Sequence, residues 1–233
     1  VIAGLVPCSF VDYPAKLAAV AFLPGCNLRC PYCHNPELVQ GKTDAGLSTD
    51  SVLTLLERRK SRLSAVVISG GEPTLSARLE ELIGRIKGCG YSIKLDTNGS
   101  HPEVLEHLIE RRLVDYVALD VKDVPARYAD WLGSPNTGAR LEASLRVLRK
   151  SGVAREYRTT LVSGRHAVDT LLEIHELIDD GAPWYLQRAL PGRTLRPAAW
   201  TPMSPRQFHH SLRELRARGV RHLYARTPHE TAV

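Results

Sequence analysis

Three of the five cysteines in a 233-residue chain fall within eight positions, at Cys26, Cys30 and Cys33 of PGCNLRCPYCHNPEL (24–38). Thiolates are soft ligands suited to zinc, copper(I) and iron–sulfur clusters. A structural zinc takes four ligands in a closed tetrahedron. The cysteines supply three; His34, adjacent to Cys33, would chelate the same ion awkwardly, and the chain has no paired C-x-x-C knuckle. An iron–sulfur cubane normally takes four cysteines. With three, one iron stays open to an outside ligand such as the amino and carboxylate groups of a small molecule. Cys8 and Cys89 read as ordinary, partly buried residues, and the sparse, odd count does not fit a secreted disulfide framework.

The elements that must position these thiols alternate. LAAVAF (17–22) reads as a strand, followed by the cysteine loop (24–36), and residues 48–60 read as a helix opened by capping residues. SAVVISG (64–70), YSIKLDTNG (91–99), DYVALDVK (115–122), REYRTTLV (155–162) and WYLQRAL (184–190) are predicted strands or strand-plus-turn segments. Helices are predicted over 75–87, 102–112, 139–152, 167–181 and 204–219, and residues 220–226 as a short strand or tail. Nearly continuous apolar strands alternating with helices imply a parallel sheet covered by helices. Six βα units fit a partial, TIM-like (β/α)6 barrel within one domain spanning 1–233 better than a closed eight-fold barrel. In parallel architectures chemistry gathers at the C-terminal strand ends. The polar motifs fall there: the cysteines after the first predicted strand, Gly70-Gly71-Glu72 after the second, Asp96-Thr97-Asn98-Gly99 after the third, and Asp120 with Lys122 closing the fourth.

Composition narrows the function classes. Apolar residues make up 43% of the chain without an uninterrupted run long enough to span a bilayer, and no secretory leader pattern opens it; a cytoplasmic protein away from membranes is expected. Net charge is +6, but the basic residues are scattered, with Arg58, Arg59, Lys60 and Arg146, Arg149, Lys150 at helix ends where the helix dipole favours them. Aromatics are only 6%, and no basic stripe is interleaved with them, so a nucleic-acid partner is not expected.

The C-x3-C-x2-C pattern, with the aromatic Tyr32 before its last cysteine, resembles the signature of the radical S-adenosylmethionine superfamily. That resemblance implies a 4Fe–4S cluster held by Cys26, Cys30 and Cys33, with S-adenosylmethionine on the open iron. Ser69-Gly70-Gly71-Glu72-Pro73 also matches that superfamily, where it receives the methionine end of the cofactor; a Gly-Gly pair permits close backbone approach. Cys33-His34-Asn35, Asp96-Thr97-Asn98-Gly99 and the D-x-K of Asp120 and Lys122 together resemble glycyl-radical-enzyme activases. The resemblance puts Asp96 and Thr97 near the methionine carboxylate, with a monovalent cation, and turns Asp120 and Lys122 toward the cofactor. SFVDYP (9–14) resembles an activase segment whose aspartate, here Asp12, lines the active-site mouth. Tyr13-Pro14 stands where formate-lyase activases commonly carry Gly-Pro, which fits the anaerobic ribonucleotide reductase activating subgroup better. Beyond Lys122 the likeness is one of fold; Arg158 and Gln187 are candidates to reach the nucleoside.

The implied reaction is reductive cleavage of S-adenosylmethionine, with flavodoxin or ferredoxin as electron donor. The resulting deoxyadenosyl radical would take a glycine α-hydrogen from a glycyl radical enzyme, anaerobic ribonucleoside-triphosphate reductase first and pyruvate formate-lyase as the alternative. No second cysteine-rich block marks a ferredoxin-like insert. Two other readings stand beside it. One is a radical enzyme acting on a small molecule or RNA; the other is an iron–sulfur redox module without catalysis, which leaves the glycine-rich and aspartate turns without a role.

Overall fold

A computed structural model describes residues 2–41, 46–133 and 135–226. Its centre is a sheet in the order β1 (Gly4–Tyr13), β2 (Lys16–Leu23), β3 (Ala65–Gly70), β4 (Ser92–Thr97), β5 (Tyr116–Asp120), β6 (Ala154–Ser163), β7 (Trp184–Arg188) and β9 (Leu223–Arg226). β2 to β7 and β9 run parallel. The short β8 (Thr201–Pro202) pairs antiparallel with the end of β6. β1 and β9 are the two ends of this order and do not pair with each other, so the curled sheet is a partial α/β barrel, as expected.

The helices follow the predicted alternation. α1 (Pro36–Val39) ends the cysteine loop; α2 (Thr49–Arg59), α3 (Leu79–Gly88), α4 (Pro102–Glu110), α6 (Thr137–Lys150), α7 (Val168–Ile178) and α8 (Pro205–Ala217) connect the strands, and α5 (Tyr128–Leu132) is an extra turn before α6. Their apolar stripes pack on alternate strand residues: Ala19, Ala21, Val66, Ile68, Ile93, Leu95, Val117 and Leu119 join Leu56, Ile83, Leu105 and Leu145 in one buried cluster. No helix among the described residues is long and apolar enough to cross a membrane.

Two features differ from the sequence reading. β1 was not anticipated. It is an edge strand, it carries Pro7, and its pairing with β2 shifts register between Val6 and Ser9 and again between Ser9 and Tyr13, which breaks period-two alternation. It turns into β2 through Pro14 and Ala15, the latter at φ 58°. The strands are also not apolar on both faces. On the face away from the helices, β2 and β3 present Ala18, Val20, Ala65 and Val67, but β4 to β6 place Lys94, Asp96, Asp120, Glu156 and Arg158 at alternate positions. An open barrel has an inner face that needs polar groups only where something polar must be met.

The cysteine loop is fixed by continuing the strand ladder past the sheet. Gly71 N–H donates to the Leu23 carbonyl at 2.9 Å, and Glu72 N–H to the Gly25 carbonyl at 2.7 Å. This approach requires the Gly-Gly pair: a Cβ on Gly71 would lie 2.0 Å from the Gly25 carbonyl oxygen, and Gly70 sits at φ +124°. Forcing a methyl into filled space costs about 1–3 kcal/mol. Gly71→Ala is therefore expected to lower the melting temperature by several degrees and reduce iron uptake on reconstitution. An unchanged melting curve would show that the loop has room the structure denies.

Candidate active site

At the C-terminal ends of β2 to β7 lies a cavity of about 280 Å³. Cys26, Cys30, Tyr32 and Cys33 form one wall, Ser69 to Glu72 and Asp96 to Asn98 another, and Asp120, Lys122, Arg158 and Gln187 reach it from β5 to β7. The structure thus brings together all the predicted site residues except Asp12. Asp12 is not among the lining residues. It accepts a hydrogen bond from Ser9 and precedes a hairpin whose register pairs Tyr13 with Lys16. The hairpin reverses the chain, so Asp12 sits at the N-terminal end of β2, roughly 23 Å along the strand from the cysteine loop at about 3.3 Å per residue.

The three cysteines are free thiols. Burial pushes Cys30 up to about 11 and raises Cys26, while the nearby Lys122 ammonium pulls both down. Among the described residues no three His, Cys, Asp or Glu side chains converge closely enough to hold one metal ion. The thiols therefore line a common wall without meeting at a point, which a single tetrahedral zinc would need. A cluster whose irons each take one thiolate does not need that convergence. The loop is clamped from far along the chain: Leu195 N–H donates to the Cys33 carbonyl at 3.0 Å, Arg196 N–H to Pro31 at 2.9 Å, and Arg29 N–H to Leu132 at 2.8 Å. No local sequence signal announced these clamps, nor Thr160 and Arg188, which also line the cavity.

Tyr32 packs its ring against Trp131 and Trp200, with centroids 5.6 and 6.2 Å away. Its hydroxyl is buried and has no hydrogen-bond partner among the described residues. Such orphaned donors are rare in native proteins and call for an explanation.

Glu72, 1% exposed, is engaged entirely by protein donors. Thr74 N–H, Thr74 Oγ1 and Thr97 Oγ1 donate to its Oε1, and Asn98 N–H donates to its Oε2 at 2.7 Å. Burial pushes its carboxyl up and these hydrogen bonds oppose that; four donors suit the acceptor-only ionised form.

The remaining charges alternate along the inner face. Lys122 Nζ meets Asp120 at 3.0 Å, Arg158 Nε meets Asp120 at 2.8 Å, Arg158 also meets Asp96 at 3.1 Å, and Lys94 Nζ meets Asp96 at 2.9 Å. Burial works against ionisation of Asp120, yet Arg158 and Lys122 hold its carboxyl well below the usual carboxylate range. Burial likewise disfavours the Lys122 ammonium, but Asp120, together with the surrounding Tyr32, Cys30 and Tyr128, holds it above the ordinary lysine value. Lys122 is thus a half-buried, charged group lining the cavity. Its backbone is pinned on both sides: its N–H donates to Tyr128 Oη at 2.8 Å, and its carbonyl accepts from His166 Nε2 at 2.9 Å. His166 Nδ1 in turn accepts the Val162 N–H, which fixes the neutral tautomer.

The chain belongs to the radical SAM superfamily, whose family model matches residues 20–178. It is 35% identical over 195 residues, 82% of this chain and 80% of the relative, to a Methanocaldococcus jannaschii protein named by inference as a glycyl-radical enzyme activating enzyme. It is also 30% identical over 188 residues, 71% of this chain and 70% of the relative, to the 7-carboxy-7-deazaguanine synthase of Methanopyrus kandleri. Among solved structures, a radical SAM methyltransferase from Sphaerobacter thermophilus superposes with a TM-score of 0.72 at 17% identity, covering 95% of this chain and 69% of that one. The protein is therefore a radical SAM enzyme, and that family implies a 4Fe–4S cluster and S-adenosylmethionine.

Burial holds the His166 pKa below its ordinary value. The unfolded chain, with a histidine near pKa 6.5, then binds a proton that the folded site refuses, so stability falls as pH drops below about 6.5. His166→Gln is expected to flatten that dependence by up to about 1.4 kcal/mol per pH unit between pH 6 and 5. Equal slopes in urea melts of the two proteins would remove His166 from the support of Lys122.

Proposed function

We propose that this enzyme generates a glycyl radical on a partner protein, anaerobic ribonucleoside-triphosphate reductase in the first place. When bound, the cluster, reduced by flavodoxin or ferredoxin, supplies the electron that splits the sulfonium of S-adenosylmethionine into methionine and the 5′-deoxyadenosyl radical that takes the glycine α-hydrogen. Cys26, Cys30 and Cys33 are the residues that would hold the cluster, and a set of only three thiolates would leave it able to take the amino-acid end of the cofactor. Because the N–H groups of Gly71 and Glu72 are already engaged by Leu23 and Gly25, the β3 end meets an ammonium with acceptors. Lys122 brings positive charge to the thiol wall, and Asp120 keeps it ionised. The unpartnered Tyr32 hydroxyl is a donor left for a bound ligand. Glu72 acts as a positioning residue, holding Thr97 and Asn98 against the cysteine loop.

The observation that carries this reading is the joint geometry of three non-converging thiols facing ionised Asp120 and Lys122 across one small cavity. Its volume of about 280 Å³ is at the lower limit of ordinary small-molecule sites, about 300–1,000 Å³. A partner protein would present its glycine at the mouth of this cavity. The likeness to the activating enzyme over four-fifths of both chains supports the same choice. The likeness to the deazaguanine synthase supports the rival in which a small molecule is the substrate.

The test is anoxic reconstitution with iron and sulfide, reduction, and assay of methionine and 5′-deoxyadenosine with and without a glycyl-radical-domain protein. Expected are cleavage by the native chain, a doublet radical signal on the partner, and loss of both with Cys30→Ala. Cleavage retained by Cys30→Ala contradicts the ligand set. Turnover of a purine-like substrate without any protein partner would favour the rival.

A further inference from the structure

Asp96 and Thr97 are the residues on which a monovalent cation is expected, and the structure leaves such an ion little to bind. Asp96 Oδ1 accepts from Lys94 Nζ at 2.9 Å and Oδ2 from Arg158 at 3.1 Å. Thr97 Oγ1 donates to Glu72 at 2.7 Å and accepts the Gly99 N–H at 3.1 Å. Asp120, the next carboxylate along the inner face, lies between Arg158 and Lys122. A metal ion placed among these groups would sit beside three side-chain cations.

Lys94 is the member of this set that does not itself line the cavity. Its side chain is fully buried, at 0% exposure. It stands two residues before Asp96 on β4, hence on the same face of the strand and one layer below the cavity floor. The corresponding face of β2 and β3 is built from Ala18, Val20, Ala65 and Val67, so the inner-face charge begins at β4 with Lys94. An ammonium is tolerated in such a place only when paired, and Lys94 is paired on its other side as well, with the buried Glu156 at 3.5 Å. Glu156 is completed by Arg226 at 3.4 Å and the Tyr116 hydroxyl at 3.2 Å. Signs therefore alternate without a break from Lys122 to Arg226. Beneath the cavity floor Lys94 and Arg158 compensate Asp96, as Arg158 and Lys122 compensate Asp120.

We propose that the Lys94 ammonium, together with Arg158, takes the place of the monovalent cation, so that this chain binds S-adenosylmethionine with an affinity indifferent to potassium and sodium. The inference rests on the cofactor reading above. It does not rest on which substrate the radical attacks.

The experiment measures the dissociation constant of S-adenosylmethionine for the anoxically reconstituted enzyme by equilibrium dialysis, at constant ionic strength in potassium, sodium or tetramethylammonium chloride. The native chain is expected to give the same value within two-fold in all three salts. Affinity that rises ten-fold or more with potassium or sodium overturns the inference, and this arm decides the matter even if a Lys94 variant fails to fold. In Lys94→Met, with cluster content checked by iron and sulfide analysis, binding is expected to weaken at least ten-fold in tetramethylammonium and to recover in part with potassium or sodium. Unchanged binding in that variant, or a loss that no alkali cation restores, also contradicts the role. Absence of binding by the native chain in every salt would defeat the cofactor reading and this inference together, whereas tight, potassium-dependent binding defeats this inference alone.

Discussion

A single buried carboxylate joins the three loops on which the site depends. Glu72 sits where β3 leaves the sheet; its backbone N–H holds the cysteine loop through Gly25, and its side chain holds the end of β4 through Thr97 and Asn98. Hydrogen bonds to an ionised acceptor contribute about 1.5–3 kcal/mol each, and loss of one partner inside a buried set costs the full desolvation of those left behind. The thiols can face the aspartate turn at a fixed distance only while this knot is intact. The requirement for Gly70 and Gly71 follows from the same constraint, since the two backbones approach too closely for side chains.

The second organising feature is the alternating charge chain of the inner face. Asp120, Asp96 and Glu156 each lie between two cations, and Arg158 and Lys94 each between two carboxylates. Buried ion pairs are weak contributors to stability relative to apolar packing. What this chain supplies is a set of charges already desolvated and oriented at the cavity wall, with no reorganisation needed when a zwitterionic ligand arrives. The separation of duties is spatial: apolar side chains under the helices hold the sheet, and the charged positions of β4 to β6 face the site.

The convergence of the polar loops was legible in the sequence because those loops follow strand ends. The loops with Cys26, Ser69 to Glu72, Asp96 to Asn98, and Asp120 with Lys122 converge because a parallel sheet puts every such loop on one side. The sequence reading failed where local pattern is silent. β1 was hidden by its irregular register and by Pro7, and Asp12, assigned to the mouth from its neighbours in sequence, is carried to the opposite end by the hairpin that β1 makes. The inner-face charges of IKLDT and REYR were legible as letters, but their pairing across strands, Arg158 with Asp96 and Asp120 above all, needs the strand order. The clamps from Leu195 and Arg196 onto the cysteine loop join residues more than 160 positions apart and carry no motif.

The account depends on three thiols that leave one iron of a cluster free to be ligated by an amino acid. Electron paramagnetic resonance of the anoxically reconstituted and reduced enzyme, recorded before and after addition of S-adenosylmethionine labelled with ¹⁷O or ¹⁵N at its amino-acid end, tests this most directly. The account predicts a shifted cluster signal and hyperfine coupling from the label to the cluster. A signal that is unaltered by the cofactor and free of such coupling would contradict it.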